Sequence, residues 1–182
     1  VAEAALSLFA RQGYRATGVR DIADTLGIGT TSVYSHIRSK ADLLRDIVLQ
    51  TVDAVLAGQA DAIASSDDVA VQLRRVAEAQ VRRFVRFPRE AIVTTQDFTC
   101  LEGPDLAAAL ERRHDYRQHI EELLERGAAE GRFSVDNAKV TAFAIIEMCE
   151  AVPKWFRPEG DLSAERVAYL YGEFAVRLAQ GT

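Results

Sequence analysis

TGVRDIADTLGIGTTSVYSHIRSK, residues Thr17 to Lys40, reads as two short helices separated by a glycine-containing turn and followed by a third helix start. Val19, Ile22, Ala23 and Leu26 recur at helical spacing, so one side is apolar while Arg20, Asp21 and Asp24 face water. Gly27-Ile28-Gly29 stops that helix. Glycine tolerates positive φ at a helix C-terminus, which lets the chain reverse within about three to four residues, with Ile28 expected to plug the corner. The next helix, predicted from Thr30 to Ile37, buries only Val33 and Ile37. Thr30, Thr31, Ser32, Tyr34, Ser35 and His36 remain as a small, polar, hydrogen-bonding surface of the kind that fits a DNA groove. The layout is that of a helix-turn-helix.

Working outward, almost every periodic segment is helical and none shows sustained two-residue alternation, so the fold class is all-α with about nine helices. Leu6, Leu8, Phe9 and Tyr14 give the opening helix its apolar face, and Gly13 ends it. Ser39 to Asp42 resembles a capping box, with Ser39 as N-cap and Asp42 returning to its amide. A long helix follows through Leu43, Leu44, Ile47, Val48, Val52 and Val55. Ser65-Ser66-Asp67-Asp68 is the clearest linker and opens a helix running to about Phe87, which Pro88 interrupts. Further helices are expected from about Arg89 to Phe98, from about Asp105 to Glu130, from a cap at Asp136 to about Trp155, and from a cap at Ser163 to about Ala179. Pro153, Pro158 and Gly160 mark an irregular corner.

The 182 residues suffice for one sizeable core or a small module joined to a larger one. With 48% hydrophobic and 27% charged residues the composition is that of a soluble globular chain; no uninterrupted apolar run has the length of a membrane span and no signal peptide opens the chain. A cytoplasmic protein without a membrane partner is expected. Cys100 and Cys149 lie in separate apolar segments without metal-ligand spacing, which points to buried free thiols. The net charge of -5 is unevenly divided: residues 1 to 46 carry six basic and five acidic groups, and the remainder carries 16 basic and 22 acidic. Cations are thus kept beside the polar helix. The chain opens at Val1 within an amphipathic helix, and an N-terminal arm able to add positive charge is expected before it.

In the last two helices, Val167, Leu170, Tyr171, Phe174 and Leu178 form an i, i+3, i+4 stripe, while the preceding helix is apolar nearly all round. The economical arrangement is that one face fills the core and the other meets a twin subunit. The interface expected on this basis comprises Ile145, Cys149, Val152, Val167, Leu170, Tyr171, Phe174 and Leu178.

Ala4-Ala5-Leu6, Leu8-Phe9, Gly13-Tyr14, Thr17, Val19-Arg20-Asp21-Ile22-Ala23, Leu26-Gly27-Ile28, Val33-Tyr34, His36, Ser39-Lys40 and Leu43-Leu44 together resemble the N-terminal pattern of the TetR family of transcriptional regulators. The resemblance covers about the first 46 residues, with departures at Gly18, Gly29 and Ile37. It implies a helix-turn-helix DNA-binding domain over residues 1–46 and a helical ligand-binding and dimerisation domain over residues 47–182. It further implies that Thr30, Thr31, Ser35 and His36 meet base edges of a double-stranded operator, and that Thr17, Tyr34 and Lys40 contact phosphates. Trp155 to Ser163 is similar to a segment of a subgroup in which several members sense acyl-CoA or related lipid-derived ligands. An apolar effector pocket is accordingly expected among Phe84, Phe87, Phe98, Tyr116, His119, Phe143 and Ile146.

Two rival functions are weaker. Glu111 with His114 is half of a di-iron pair, but no second Glu-x-x-His occurs and the segment is a run of charge, so no metal and no cofactor are expected. A helical dimerisation or adaptor protein without DNA binding would suit the acidic balance. The expected function is a ligand-responsive repressor that binds a palindromic operator as a homodimer and is released by a small apolar effector.

Overall fold

The computed structural model describes residues 1–181 and contains, among them, nine α-helices, one 3-10 turn and no strand. The helices are α1 (Ala2–Gln12), α2 (Val19–Leu26), α3 (Thr30–Tyr34), α4 (Lys40–Ala64), α5 (Val69–Arg86), α6 (Pro88–Asp97), α7 (Gly103–Ala129), α8 (Ala138–Trp155) and α9 (Ala164–Gln180), with the 3-10 turn at Phe98–Cys100. The all-α expectation holds. By internal contacts the chain forms two compact units: Val1–Val52 with Pro88–Glu111, and Asp53–Phe87 with Arg112 onward. This grouping differs from a single cut at 46/47, because α6 and the start of α7 join the first unit.

Helix ends follow local chemistry. Asp68 accepts from the amides of Ala70 and Val71, Ser163 accepts from Arg166 N, and the left-handed Gly27 (φ 67°) closes α2. Proline occupies the first position of α6, where its missing N–H costs nothing. The cap of α8 is Asn137, which accepts from Val140 N, rather than the expected Asp136. At α4, Asp42 N donates to the Ser39 hydroxyl as a cap requires, but the Asp42 carboxylate accepts from the Ser39 hydroxyl rather than from its amide.

Two expectations for the helix-turn-helix are corrected. Ile28 is exposed rather than plugging the corner, as is Leu26, because the turn is closed by backbone bonds from Gly27 N to Asp24 O and from Ile28 N to Ala23 O. The third helix ends at Tyr34 rather than Ile37. Ser35 donates its hydroxyl to Ser32 O, and Val33 O is shared between His36 N and Ile37 N, so the helix tightens into a last mixed turn and ends there.

The first unit buries Leu6, Leu8 and Phe9 of α1, Ile22 and Ala23 of α2, Val33 of α3 and Leu44 of α4, together with Ala91 and Val93 of α6. In the second unit α5 and α9 approach closely at Gly172, where a Cβ would stand 2.7 Å from Arg74 Cγ and 2.8 Å from Glu78 Cγ. Glu78 lies between Arg74 and Arg82 on α5, and Arg82 Nε also meets Glu165 of α9 at 2.8 Å. Helix α4 is long and apolar enough on average to satisfy the length and composition of a membrane span. Polar groups interrupt it, however; Thr51 and Gln59 are buried, and Gln59 Nε2 donates to Tyr116 O. Such internal satisfaction of polar groups suits a helix embedded in protein.

Candidate nucleic-acid interface

α3 is only five residues long, too short to be stable by itself, so its placement rests on tertiary support. Val33 is fully buried and is its anchor, while Thr30, Thr31, Tyr34, Ser35 and His36 are exposed, Tyr34 by 54%. These five expected DNA-contact residues therefore share one solvent-facing surface. Gly29 precedes α3 in an extended conformation and supplies no side-chain cap, leaving the first turn's amides to other partners.

The other two expected contacts are placed differently. Thr17 is 1% exposed, and its hydroxyl donates to Gly13 O at 2.9 Å, so its side chain closes the loop between α1 and α2. The neighbouring Gly18 amide donates to Asp21 Oδ2 at 2.7 Å, so the carboxylate of α2 itself takes part of the positive helix end that a phosphate would use. Lys40 Nζ donates to Tyr14 O at 2.8 Å and Thr17 O at 2.7 Å and lies 4.0 Å from the Tyr14 ring centroid. Its charge is directed at the backbone corner.

Asp97, which sequence reasoning missed, completes that corner. Its Oδ2 accepts from Tyr14 N at 3.1 Å. Burial pushes its carboxyl above the usual range, opposed by that hydrogen bond and by the charges of Lys40 and Arg15. Nothing in the local sequence signals a partner 83 residues away.

The expected effector residues fall in different settings. In the second unit Phe84 and Ile146 are buried, and Tyr116 is buried with its hydroxyl donating to Gln80 Oε1. Burial raises the Tyr116 phenol well above its ordinary value. Gln80 is 3% exposed and its Nε2 has no protein partner. Phe87 is half-buried under the guanidinium of Arg83, whose carbon lies 4.0 Å from the ring centroid. His119 lines a groove of about 460 Å³ with Ala60, Ile63, Glu122, Leu123 and Arg126, and its Nδ1 is 2.7 Å from Gln59 Oε1. Phe143 is exposed, and Phe98 belongs to the first unit, within the 3-10 turn.

The expected dimer residues also divide. Ile145, Cys149, Val152 and Val167 are buried within the chain and are corrected to core positions, and burial lifts the Cys149 thiol far above its usual value. Phe174 and Leu178 are exposed, with Leu170 and Tyr171 half-buried beside them. Val140, Phe143, Trp155 and Tyr169, absent from the expected set, are exposed on the same two helices. Trp155 stacks on Tyr171 at 6.3 Å, and Tyr171 meets Phe174 at 5.8 Å. The i, i+3, i+4 pattern marked the helices as apolar but not which flank of each the core consumes.

Residues 1–47 match the family described as bacterial regulatory proteins, tetR family, and residues 66–179 match the tetracyclin repressor-like C-terminal domain. The chain is similar to the HTH-type transcriptional repressor KstR2 of Mycobacterium tuberculosis (strain ATCC 25618 / H37Rv), with 28% identity over 171 residues that cover 93% of this chain and 86% of that protein. The solved structure of ketosteroid transcriptional regulator KstR2 of Mycobacterium tuberculosis shares the fold with a TM-score of 0.89 at 26% identity, covering 96% of this chain and 90% of that one. PfmR from Thermus thermophilus, a TetR family transcriptional regulator, gives 0.84 at 29% identity, covering 97% and 96% of the two chains.

Proposed function

This chain belongs to the TetR family of DNA-binding transcriptional regulators, and on that footing we propose that it is a homodimeric repressor released from a palindromic operator by a small effector. It is a regulator and not an enzyme. The observation that carries the reading is the exposed polar surface of α3, with Thr30, Thr31, Tyr34, Ser35 and His36 presented on one buried anchor, Val33. Hydroxyls bond either base class and threonine methyls meet thymine methyls, so this surface reads bases without an arginine. Two copies of α3 would enter successive major grooves about 34 Å apart or a multiple of that. As an operator-binding protein it would act in the cytoplasm.

Exposed Phe174 and Leu178 of α9, with Val140 and Phe143 of α8, support a self-complementary apolar interface. For the effector, the buried Gln80 amide without a protein partner is a donor suited to a carbonyl or carboxylate, and Tyr116 holds its other end. The similarity to the solved structure of ketosteroid transcriptional regulator KstR2 supports an apolar, carbonyl-bearing compound, and the resemblance of Trp155 to Ser163 to acyl-CoA-sensing members makes a lipid-derived acid carried as its CoA thioester the first to test.

Selection of duplexes from a random-sequence pool tests DNA reading directly: an enriched inverted repeat is expected, and no enrichment at low salt would overturn it. Adding CoA thioesters of graded chain length to the protein on its enriched duplex should lower affinity with one class by about fivefold or more, as coupling of about 1 kcal/mol requires. Affinity unchanged by every chain length removes the thioester reading. Phe174→Asp should give monomers in sedimentation, since a dimer would bury the new carboxylate. Retained dimers would move the interface elsewhere.

A further inference from the structure

Helix α6 follows α5 in sequence, yet it belongs to the first unit and is attached there at both ends. In its first turn, Arg89 donates to the Ser7 hydroxyl and pairs with Glu3, each at 2.6 Å. At its last residue, Asp97 accepts a hydrogen bond from the Tyr14 amide. The carbonyl of the same Tyr14 accepts from Lys40, which also donates to Thr17 O, so a carboxylate and an ammonium both hold the corner, one at an amide and the other at carbonyls. Phe9 adds an edge-on ring contact to Tyr14 at 5.3 Å. Two residues beyond Thr17, α2 begins, and α2 packs directly on α3. The two grips differ in setting: the Arg89 pair is solvent-exposed, whereas Asp97 is 8% exposed. Exposed pairs contribute little, while hydrogen bonds to buried charges are strong and their loss leaves partners unsatisfied.

We propose that Asp97 is a positioning residue for DNA binding, which holds the Tyr14 amide against the Lys40 grip on the neighbouring carbonyls and thereby sets how α2 presents α3. The proposal rests on the DNA-reading role of α3, and its mechanical part is independent of operator and effector. Loss of the carboxylate leaves the Tyr14 N–H without its acceptor and removes a negative charge that interacts with Lys40. The corner then loosens, and a misaligned α3 loses base contacts while contacts to phosphate survive.

The test compares the full-length protein with Asp97→Ala, Asp97→Asn and Arg89→Ala, using the duplex enriched from the random pool and a scrambled duplex of equal length and composition. For Asp97→Ala the enriched duplex should be bound about tenfold more weakly, with the scrambled duplex bound as by the wild-type protein, since base contacts specify and phosphate contacts do not. General unfolding would lower both affinities together, so their ratio isolates positioning. Asp97→Asn keeps an oxygen for the Tyr14 amide and should recover to within about threefold of the wild-type ratio, a neutral acceptor bonding more weakly than a charged one. Arg89→Ala should match the wild-type protein. Amide hydrogen exchange supplies a readout without DNA: exchange at Tyr14 should accelerate in Asp97→Ala and stay slow in Asp97→Asn. An unchanged specific-to-scrambled ratio in Asp97→Ala, an Asp97→Asn variant as impaired as Asp97→Ala, or unaltered exchange at Tyr14 each overturns the proposal. A wild-type protein that enriches no duplex would defeat the operator reading instead, and exchange at Tyr14 would still decide whether Asp97 holds the corner.

Discussion

The first unit holds a five-residue helix in place with a few polar groups aimed at one backbone corner, whereas the second holds α5 against α9 by removing a side chain. In the first, Asp97 accepts from the Tyr14 amide and Lys40 donates to the Tyr14 carbonyl, and Val33 alone anchors α3. In the second, Gly172 lets the backbones approach, and apolar residues such as Leu73, Val76, Ala168 and Ala175 are buried on the two helices. A short helix cannot orient itself by area buried, so orientation falls to directional bonds. Long helices bury enough area for packing to decide.

The sharpest way to break this contrast is Gly172→Val. Its new atoms would meet Arg74 Cγ, Glu78 Cγ and the Arg74 carbonyl, the last 3.0 Å from a Cβ. Overpacking of this kind should cost about 3 kcal/mol in denaturant unfolding, and an unchanged midpoint would show that close approach does not hold the second unit. Val33→Ala comes next, with a cost of about 2 kcal/mol for a truncated anchor. It should abolish specific DNA binding while circular dichroism retains most of the helix signal; intact specific binding would mean that the corner bonds suffice without the anchor.

A smaller effect of opposite sign is expected at Thr94 on α6, whose buried hydroxyl has no partner. Thr94→Val should raise stability by about 1 kcal/mol by removing an unsatisfied polar group of similar shape, and a loss would reveal a bond made in solution. The least costly probe is acid. The raised carboxyl of Asp97 binds its proton more tightly in the fold than in the unfolded chain, so its burial penalty is relieved as pH falls through its native value. Asp68 behaves oppositely: amide bonds from Val71 and Ala70 and the nearby Arg132 lower its carboxyl, so its stabilisation is present above the usual aspartate range and disappears as pH falls through its lowered native value. Carboxyl NMR shifts should therefore show Asp97 titrating at higher pH than Asp68, and the reverse order would contradict both assignments.

Much of this was legible in the sequence because it depends on neighbours in the chain. The ends of α1, α2, α5 and α9 follow from Gly13, Gly27, Asp68 and Ser163, since caps act within about one helical turn. The exposed set Thr30, Thr31, Tyr34, Ser35 and His36 follows from the position of Val33. Long-range partners left no such trace. Thr17 and Lys40 look like phosphate contacts in one dimension, yet their polar groups turn to Gly13, Tyr14 and Thr17 carbonyls. Ile145, Cys149, Val152 and Val167 share apolar character with Phe174 and Leu178, and only packing separates core from exposed flank.

By itself the sequence determined the helical class, the helix-turn-helix and the polar surface of α3, because periodicity, caps and turns are set by residues close in the chain. Only the tertiary structure decided that α6 joins the first unit, that Asp97 and Lys40 share one corner, and that half of the expected interface is core. Hydrogen bonds and burial are fixed by distance in space, and residues 14 and 97 become neighbours only once the chain has folded.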